Sequence, residues 1–175
     1  ILAADSINNQ TGSIADGATW NTVDLPMVPS GTSAAIEFDG IDDQINIVGY
    51  KGITGTGART IAAWIRTNHN NPQDRGILSW GINQTTRKWT FRIQTQNGTP
   101  GTIRIEANGG FFVGNTVVTD GNWHHVAVTW ENDGTPDILD SKLYVDGVLD
   151  AEYGSLTTPP SASQSIAINT ASSAD

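Results

Sequence analysis

Cysteine is absent from the 175 residues. That excludes a disulfide framework, thiolate metal ligation and every cysteine-based nucleophile. Long apolar runs are also absent, and nothing approaches the ~20 residues a membrane-spanning helix needs. No stretch shows the 3.6-residue periodicity of an amphipathic helix. Charge is sparse and one-sided: nine Lys and Arg stand against 18 Asp and Glu, for a formal charge of −9. Such a surface repels phosphates and anionic lipid, so neither nucleic acid nor membrane insertion is expected. Neutral glycans and cations remain compatible. The signatures of serine hydrolases, zinc proteases and phosphate loops are missing too. No leader pattern opens the chain, so any targeting sequence is expected to lie outside these residues.

What is present favours sheet. The chain has 19 glycines and is rich in threonine, isoleucine, valine and asparagine. Residues 1–33 read as polar and irregular. Beyond them, strands are expected at about 34–38, 44–48, 58–67, 75–81, 87–95, 102–106, 110–113, 123–130, 141–146, 148–153 and 163–169. Turn signals separate them at Asp39-Gly40, Gly55 and Gly57, Asn97-Gly98, Gly109-Gly110, Asp120-Gly121 and Asp146-Gly147. Short strands at this spacing predict an all-β sandwich or barrel, with one domain over 1–175. The alternation nominates Phe38, Ile45, Ile47, Ile61, Ala63, Ile65, Leu78 and Trp80 as core. It adds Trp89, Phe91, Ile93, Val126, Val128, Trp130, Leu143, Val145 and Ile166. Trp20 and Trp123, near loops or strand ends, are the tryptophans expected nearer the surface.

The stretch "NWHHVAVTWENDGTPDILDSKLYVDGVLD" (122–150) carries two histidines and a run of aspartates. Side chains alternate faces on a strand, so His124 and His125 cannot both reach one ion. His124 shares a face with Val126, Val128 and Trp130; His125 shares the other with Trp123, Ala127 and Thr129. Asp146-Gly147 between "KLYV" and "VLDAEY" predicts a hairpin with a type I′ turn.

Five motifs occur in an order that resembles a laminin G-like domain: "AIEFDGIDDQINI", "RTIAAWIRT", "ILSWG", "DGNWHHVAVTWE" and "KLYVDGVLDAEY". The opening "AADSINNQTGSIADGATW" is similar to the segment preceding the "FDG" strand in bacterial members. The resemblance implies a concanavalin A-like jelly roll, the lectin/glucanase fold shared by pentraxins: a two-sheet antiparallel β-sandwich. It implies a structural role for His124. It also implies one strand before the "AADS" segment and one after "SIAIN". The terminal strands are therefore expected to be missing here. Residues 1–4, a folded-back tail or a strand donated by a neighbouring chain or domain would supply the pairing, and donation is favoured.

Glycanases of this fold carry Glu-x-Asp-x-x-Glu on one strand, its outer carboxylates placed for a retaining mechanism. The nearest match is Glu37 to Asp42, where Asp42 is one methylene short and Asp39-Gly40 reads as a turn. No catalytic residue is assigned. Calcium, which the resemblance implies in edge loops, needs six to eight oxygen ligands. Asp133, Asp137 and Asp140 are the metal candidates, with Asp39, Asp42 and Asp43 a second acidic turn and Asp175 a further possibility. The alternative is solvated turn residues. The expectation is a non-catalytic module of a larger extracellular or cell-surface protein. Its partner would be a glycan or a protein surface ligand met through loops, with calcium as organiser. The alternative is a structural spacer in an adhesin, or an accessory domain of a polysaccharide-degrading enzyme.

Overall fold

The computed structural model describes residues 2–4, 10–28, 31, 33–69, 75–84, 87–94, 98–107, 110–134 and 136–152. The chain forms two compact units, Ile1–Tyr50 and Lys51–Asp175. The strand expected at 163–169, with Ile166, and the candidate Asp175 lie outside the described residues.

The first unit holds β1 (Leu2–Ala4), β2 (Thr11–Ala15), β3 (Thr19–Asn21), β4 (Ala35–Glu37) and β5 (Gln44–Asn46). β2 lies between β1 and β5 in an antiparallel sheet, and β3 pairs with β4. The opening segment expected to be irregular therefore contains three strands. They are three to five residues long, too short to show an alternation, and backbone pairing defines them. Asp16 and Gly17 carry the chain from β2 into β3, which pair with different partners, and both have positive φ (65° and 122°). Phe38 and Ile47, expected in the core, are 48% and 42% exposed. Each lies just past the end of its strand, where alternation no longer dictates direction.

The second unit is built from β6 (Arg59–Arg66), β7 (Arg75–Gly81), β8 (Lys88–Ile93), β9 (Thr102–Ala107), β10 (Gly110–Val117), β11 (Trp123–Trp130), β12 (Ser141–Val145) and β13 (Val148–Glu152). They form two antiparallel four-stranded sheets, ordered β10-β9-β8-β7 and β13-β12-β11-β6. Their inner faces share one buried cluster: Trp89 and Phe91 of β8, Ile103 and Ile105 of β9 and Phe112 of β10 from one sheet, Val126, Val128 and Trp130 of β11 and Leu143 of β12 from the other. Each large side chain so buried contributes roughly 1.5–3 kcal/mol. Trp89 meets Trp130 edge to face across the sheets, ring centroids 6.5 Å apart. Leu78 escapes this core, because the register shift between Gly76 and Leu78 breaks the alternation of β7. The fold is thus all-β with antiparallel sheets, and the described residues contain no α-helix, only a 3-10 turn at Ile138–Asp140. No described helix is long and apolar enough to cross a membrane.

Two polar devices hold the sandwich together. Asp150 on β13 accepts from the backbone N–H of Asn115 (2.8 Å) and of Thr116 (3.0 Å) and from the Thr116 hydroxyl (2.6 Å), tying β13 to β10 of the other sheet. This requires Gly114, where a Cβ would sit 2.2 Å from Asp150 Oδ2. Arg59 is buried with its guanidinium 5.0 Å from the ring centroids of both Trp89 and Trp130. It donates to the carbonyls of Ile53, Gly55 and Gly57, so one side chain pins the loop that enters β6. Burial lowers its pKa to about 10.

Candidate binding site

The register of β6, β11, β12 and β13 builds the outer face of one sheet row by row. Trp123 stands opposite Arg66, His125 opposite Trp64, Ala127 opposite Ala62, and Thr129 opposite Thr60. On the other flank Ala127 faces Tyr144 and Thr129 faces Lys142, while Tyr144 faces Leu149 of β13. The Arg66 guanidinium lies 5.2 Å from the Trp123 ring centroid, and Trp64 meets His125 edge-on at 5.3 Å. Trp64 is 40% exposed and Leu149 43%.

At the Thr60–Thr129–Lys142 end this face runs into a groove of about 540 Å3. Ile53 and Ala58, from the loop pinned by Arg59, form one wall. Glu131 and Asp140, from the segment joining β11 to β12, form the other, and Thr60, Thr129, Lys142 and Tyr144 line the sheet side. Hydroxyls, carboxylates and an ammonium thus converge beside apolar surface in an open groove.

The segment 131–140 is shaped by its own aspartates. Asp137 caps the 3-10 turn: its Oδ1 accepts from Leu139 N–H at 2.6 Å, and Asp140 Oδ2 accepts from Asp137 N–H at 3.1 Å. The Asp137 carbonyl accepts from the Trp130 indole at 2.7 Å, seating the turn over the core. Burial raises the Asp140 pKa, the Asp137 N–H opposes that, and the negative charges of Asp133 and Asp137 raise it further. The three metal candidates Asp133, Asp137 and Asp140 therefore share one electrostatic neighbourhood, with two carboxylates already engaged by backbone.

The second acidic turn is tighter. Asp39, Asp42 and Asp43 place ligand oxygens within 4.8 Å of one another. Asp43 Oδ2 accepts from Asp39 N–H (2.7 Å), and Asp39 Oδ1 from Ile41 N–H (2.7 Å). Asp43 Oδ1 is buried without a hydrogen-bond partner, a feature the 131–140 segment lacks among its carboxylates. By donor set and by this orphaned oxygen, the 39–43 turn fits a calcium ion better, although it supplies fewer ligands than calcium's full shell. The same turn separates the carboxylates of the Glu37–Asp42 run: Glu37 ends β4, and Gly40 turns the chain with φ +75°.

The histidine pair divides as the alternation predicts. His124 lies between two carboxylates, Nδ1 2.8 Å from Asp146 Oδ2 and Nε2 3.1 Å from Asp120 Oδ1. Asp146 also accepts from the His125 N–H at 2.8 Å. Burial alone would lower the His124 pKa, but the hydrogen bonds and charges of Asp146 and Asp120 carry the net shift upward. Bonds from the Asn122 backbone and side chain, then from His124, lower Asp120 to about 2. No hydroxyl or thiol nucleophile joins this trio in the hydrogen bonds described, so it reads as a structural clamp between two turns.

No motif in the sequence singles out Trp64 or Tyr144, as it does the aspartates, Trp20 and Trp123. Their signal was nonetheless present: Trp64 sits between Ala63 and Ile65, both nominated for the core, and Tyr144 between Leu143 and Val145.

Comparison with known proteins agrees with this architecture. A laminin G family model, described as the concanavalin A-like lectin/glucanases superfamily, matches residues 39–175. No curated protein and no solved structure matches the chain. With a match over well more than half of the chain, and an antiparallel β-sandwich of this kind, the chain belongs to the concanavalin A-like lectin/glucanases superfamily as a laminin G-like member.

Proposed function

We propose that this domain is a non-catalytic extracellular module that binds a glycan at a cell or matrix surface. The observation that carries the reading is the open groove where the 51–58 loop and the 131–140 segment meet the sheet. It offers hydroxyl, carboxylate and ammonium partners for sugar hydroxyls, and apolar surface at Ile53 and Ala58 for the C–H faces of a ring. The superfamily supports a carbohydrate- or protein-binding role at the coarser level. The separation of Glu37 from Asp42 by a turn supports binding without hydrolysis, since a retaining mechanism needs its two carboxyl groups about 5–5.5 Å apart across the bond. Calcium belongs to the proposal as an organiser of the fold, at the 39–43 turn, with Asp133, Asp137 and Asp140 as the rival site.

A glycan array probed with the fluorescently labelled domain tests the reading, with calcium and with chelator. Wild type is expected to light a defined set of glycans. Thr129→Trp, which fills the groove with an indole, is expected to lose them while melting at the wild-type temperature. An array on which no glycan is bound overturns the proposal.

A further inference from the structure

The two walls of the groove are connecting segments, 51–58 and 131–140, and among the described residues no strand pairing holds either of them. Such segments sit at the low-stability end of a fold unless side chains pin them. Ile53 lends its side chain to one wall and its carbonyl to the guanidinium of Arg59, 3.0 Å away. The carbonyls of Gly55 and Gly57 accept from the same guanidinium, so the loop curls round one planar fork. Gly52 anchors the start of the loop against Trp80, where a Cβ would lie 2.6 Å from the indole. On its other side the Arg59 guanidinium is 5.0 Å from the ring centroid of Trp130. The Trp130 indole N–H donates to the Asp137 carbonyl at 2.7 Å. The Asp137 N–H donates at 3.1 Å to Asp140, whose side belongs to the opposite wall. From wall to wall the contacts therefore run Ile53, Arg59, Trp130, Asp137, Asp140. Trp89 packs against the same guanidinium at 5.0 Å, meets Trp130 edge to face and stacks on Trp80 at 5.9 Å.

We infer that Arg59 is a positioning residue for the groove. Through Trp130 it fixes the separation of the two walls, so the contacts a ligand makes on one wall depend on the other. Its part in binding rests on the groove reading above. Burial leaves it no direct role: Arg59 is 3% exposed and Trp130 1%, so neither offers a ligand more than an edge. Packing makes the link stiff. Interior side chains fill their space to crystal-like density, and a displaced ring displaces what it touches. The guanidinium suits the task because it is a planar fork of donors with two faces. An ammonium is a point charge, and it cannot serve three carbonyls and two rings at once. A binding site holds its groups to within about 0.5 Å, which two connections do only when something beneath them sets their spacing.

Relaxation of backbone 15N in the free protein tests the coupling. In wild type the amides of 53–57 and of Leu139 and Asp140 are expected to show order parameters of roughly 0.85, as rigid backbone does. Trp130→Phe keeps a ring and removes the N–H donor. It is expected to lower the order parameters on both walls toward roughly 0.6, and Arg59→Lys to do the same. The amides of Asn115 and Thr116, held by Asp150, are expected to stay unchanged in both variants, whereas a general loosening of the fold would move them too. Loosening confined to the wall that each side chain touches overturns the inference, and so does loosening shared by Asn115 and Thr116. Binding is read separately, by affinity electrophoresis in soluble laminarin, xyloglucan and galactomannan. Any of these that retards wild type is expected to bind each variant about tenfold more weakly. Undiminished retardation of both variants also overturns the inference. Retardation of wild type by none of them counts against the glycan reading, and the relaxation result then decides the coupling by itself.

Discussion

His124 has a carboxylate at each ring nitrogen, and that arrangement has a pH consequence. Its pKa is raised in the folded state, so the stability it confers is fully present below the unfolded value of 6.5 and is lost as pH rises through the higher folded value. Asp120 and Asp146 act with the opposite sign. For Asp146, burial works against the hydrogen bonds from His124 and His125, and the net pKa is lowered. Their contribution is present above the unfolded value of 3.8 and disappears as pH falls toward about 2 for Asp120. The clamp is therefore strongest between about pH 4 and 6.5. Urea denaturation followed by tryptophan fluorescence is expected to give its highest midpoint in that window. His124→Gln should flatten the decline on the alkaline side. An unchanged alkaline slope in that variant would mean that another group sets it. Arg59 is the other residue on which stability turns. Its bonds to three carbonyls and its place against two indoles cannot be reproduced by an ammonium. Arg59→Met is expected to cost about 3 kcal/mol, within the range for buried hydrogen bonds to charged groups and cation–π contacts. Arg59→Lys should recover only part of that loss, as read by chemical denaturation. The face of each histidine was legible from alternation alone. The carboxylates that hold His124 were not, because Asp120 and Asp146 lie in turns that only the folded sheet brings to either side of one ring.

Turns and strands differ in how well they could be read. The hairpin at Asp146-Gly147 was legible because both residues need positive φ, and both have it, at 52° and 79°. The long strands were legible because β-branched and aromatic residues alternate along them. β1 to β3 were not, since strands of three to five residues are too short to show an alternation and are defined by their partners. Ile138 was missed for a related reason: it is buried from a 3-10 turn, where neither strand nor helix periodicity applies. The acidic turns were visible as composition, but sequence could not say which one gathers its oxygens. A calcium ion at a hundred times its Kd adds about 2.7 kcal/mol to the folded state. Differential scanning calorimetry is expected to show a melting temperature that rises with calcium and falls with chelator. Asp43→Asn should abolish the rise, because it removes a carboxylate oxygen that is buried and unpartnered. An unaltered rise in Asp43→Asn that vanishes in the triple Asn variant of Asp133, Asp137 and Asp140 would move the site to the 131–140 segment.

For the molecule as a whole, the fold was far more legible than the work it does. Strand spacing, turn chemistry and the ordered motifs converge on a sandwich because every strand must satisfy the same pairing and burial rules. A binding face obeys no such rule. Thr60, Thr129 and Lys142, which line the groove, lie on three strands separated by up to 82 positions in sequence and become neighbours only through register. The proposed role is binding without turnover, and one incubation addresses both halves of it. The domain is mixed with insoluble and soluble neutral polysaccharides in calcium-containing buffer. The bound fraction is measured by pull-down, and the reducing ends released are counted over a day. Binding to at least one polymer with no reducing ends above the protein-free control is the predicted result. Reducing ends that accumulate with wild type and disappear with Glu37→Gln would contradict it.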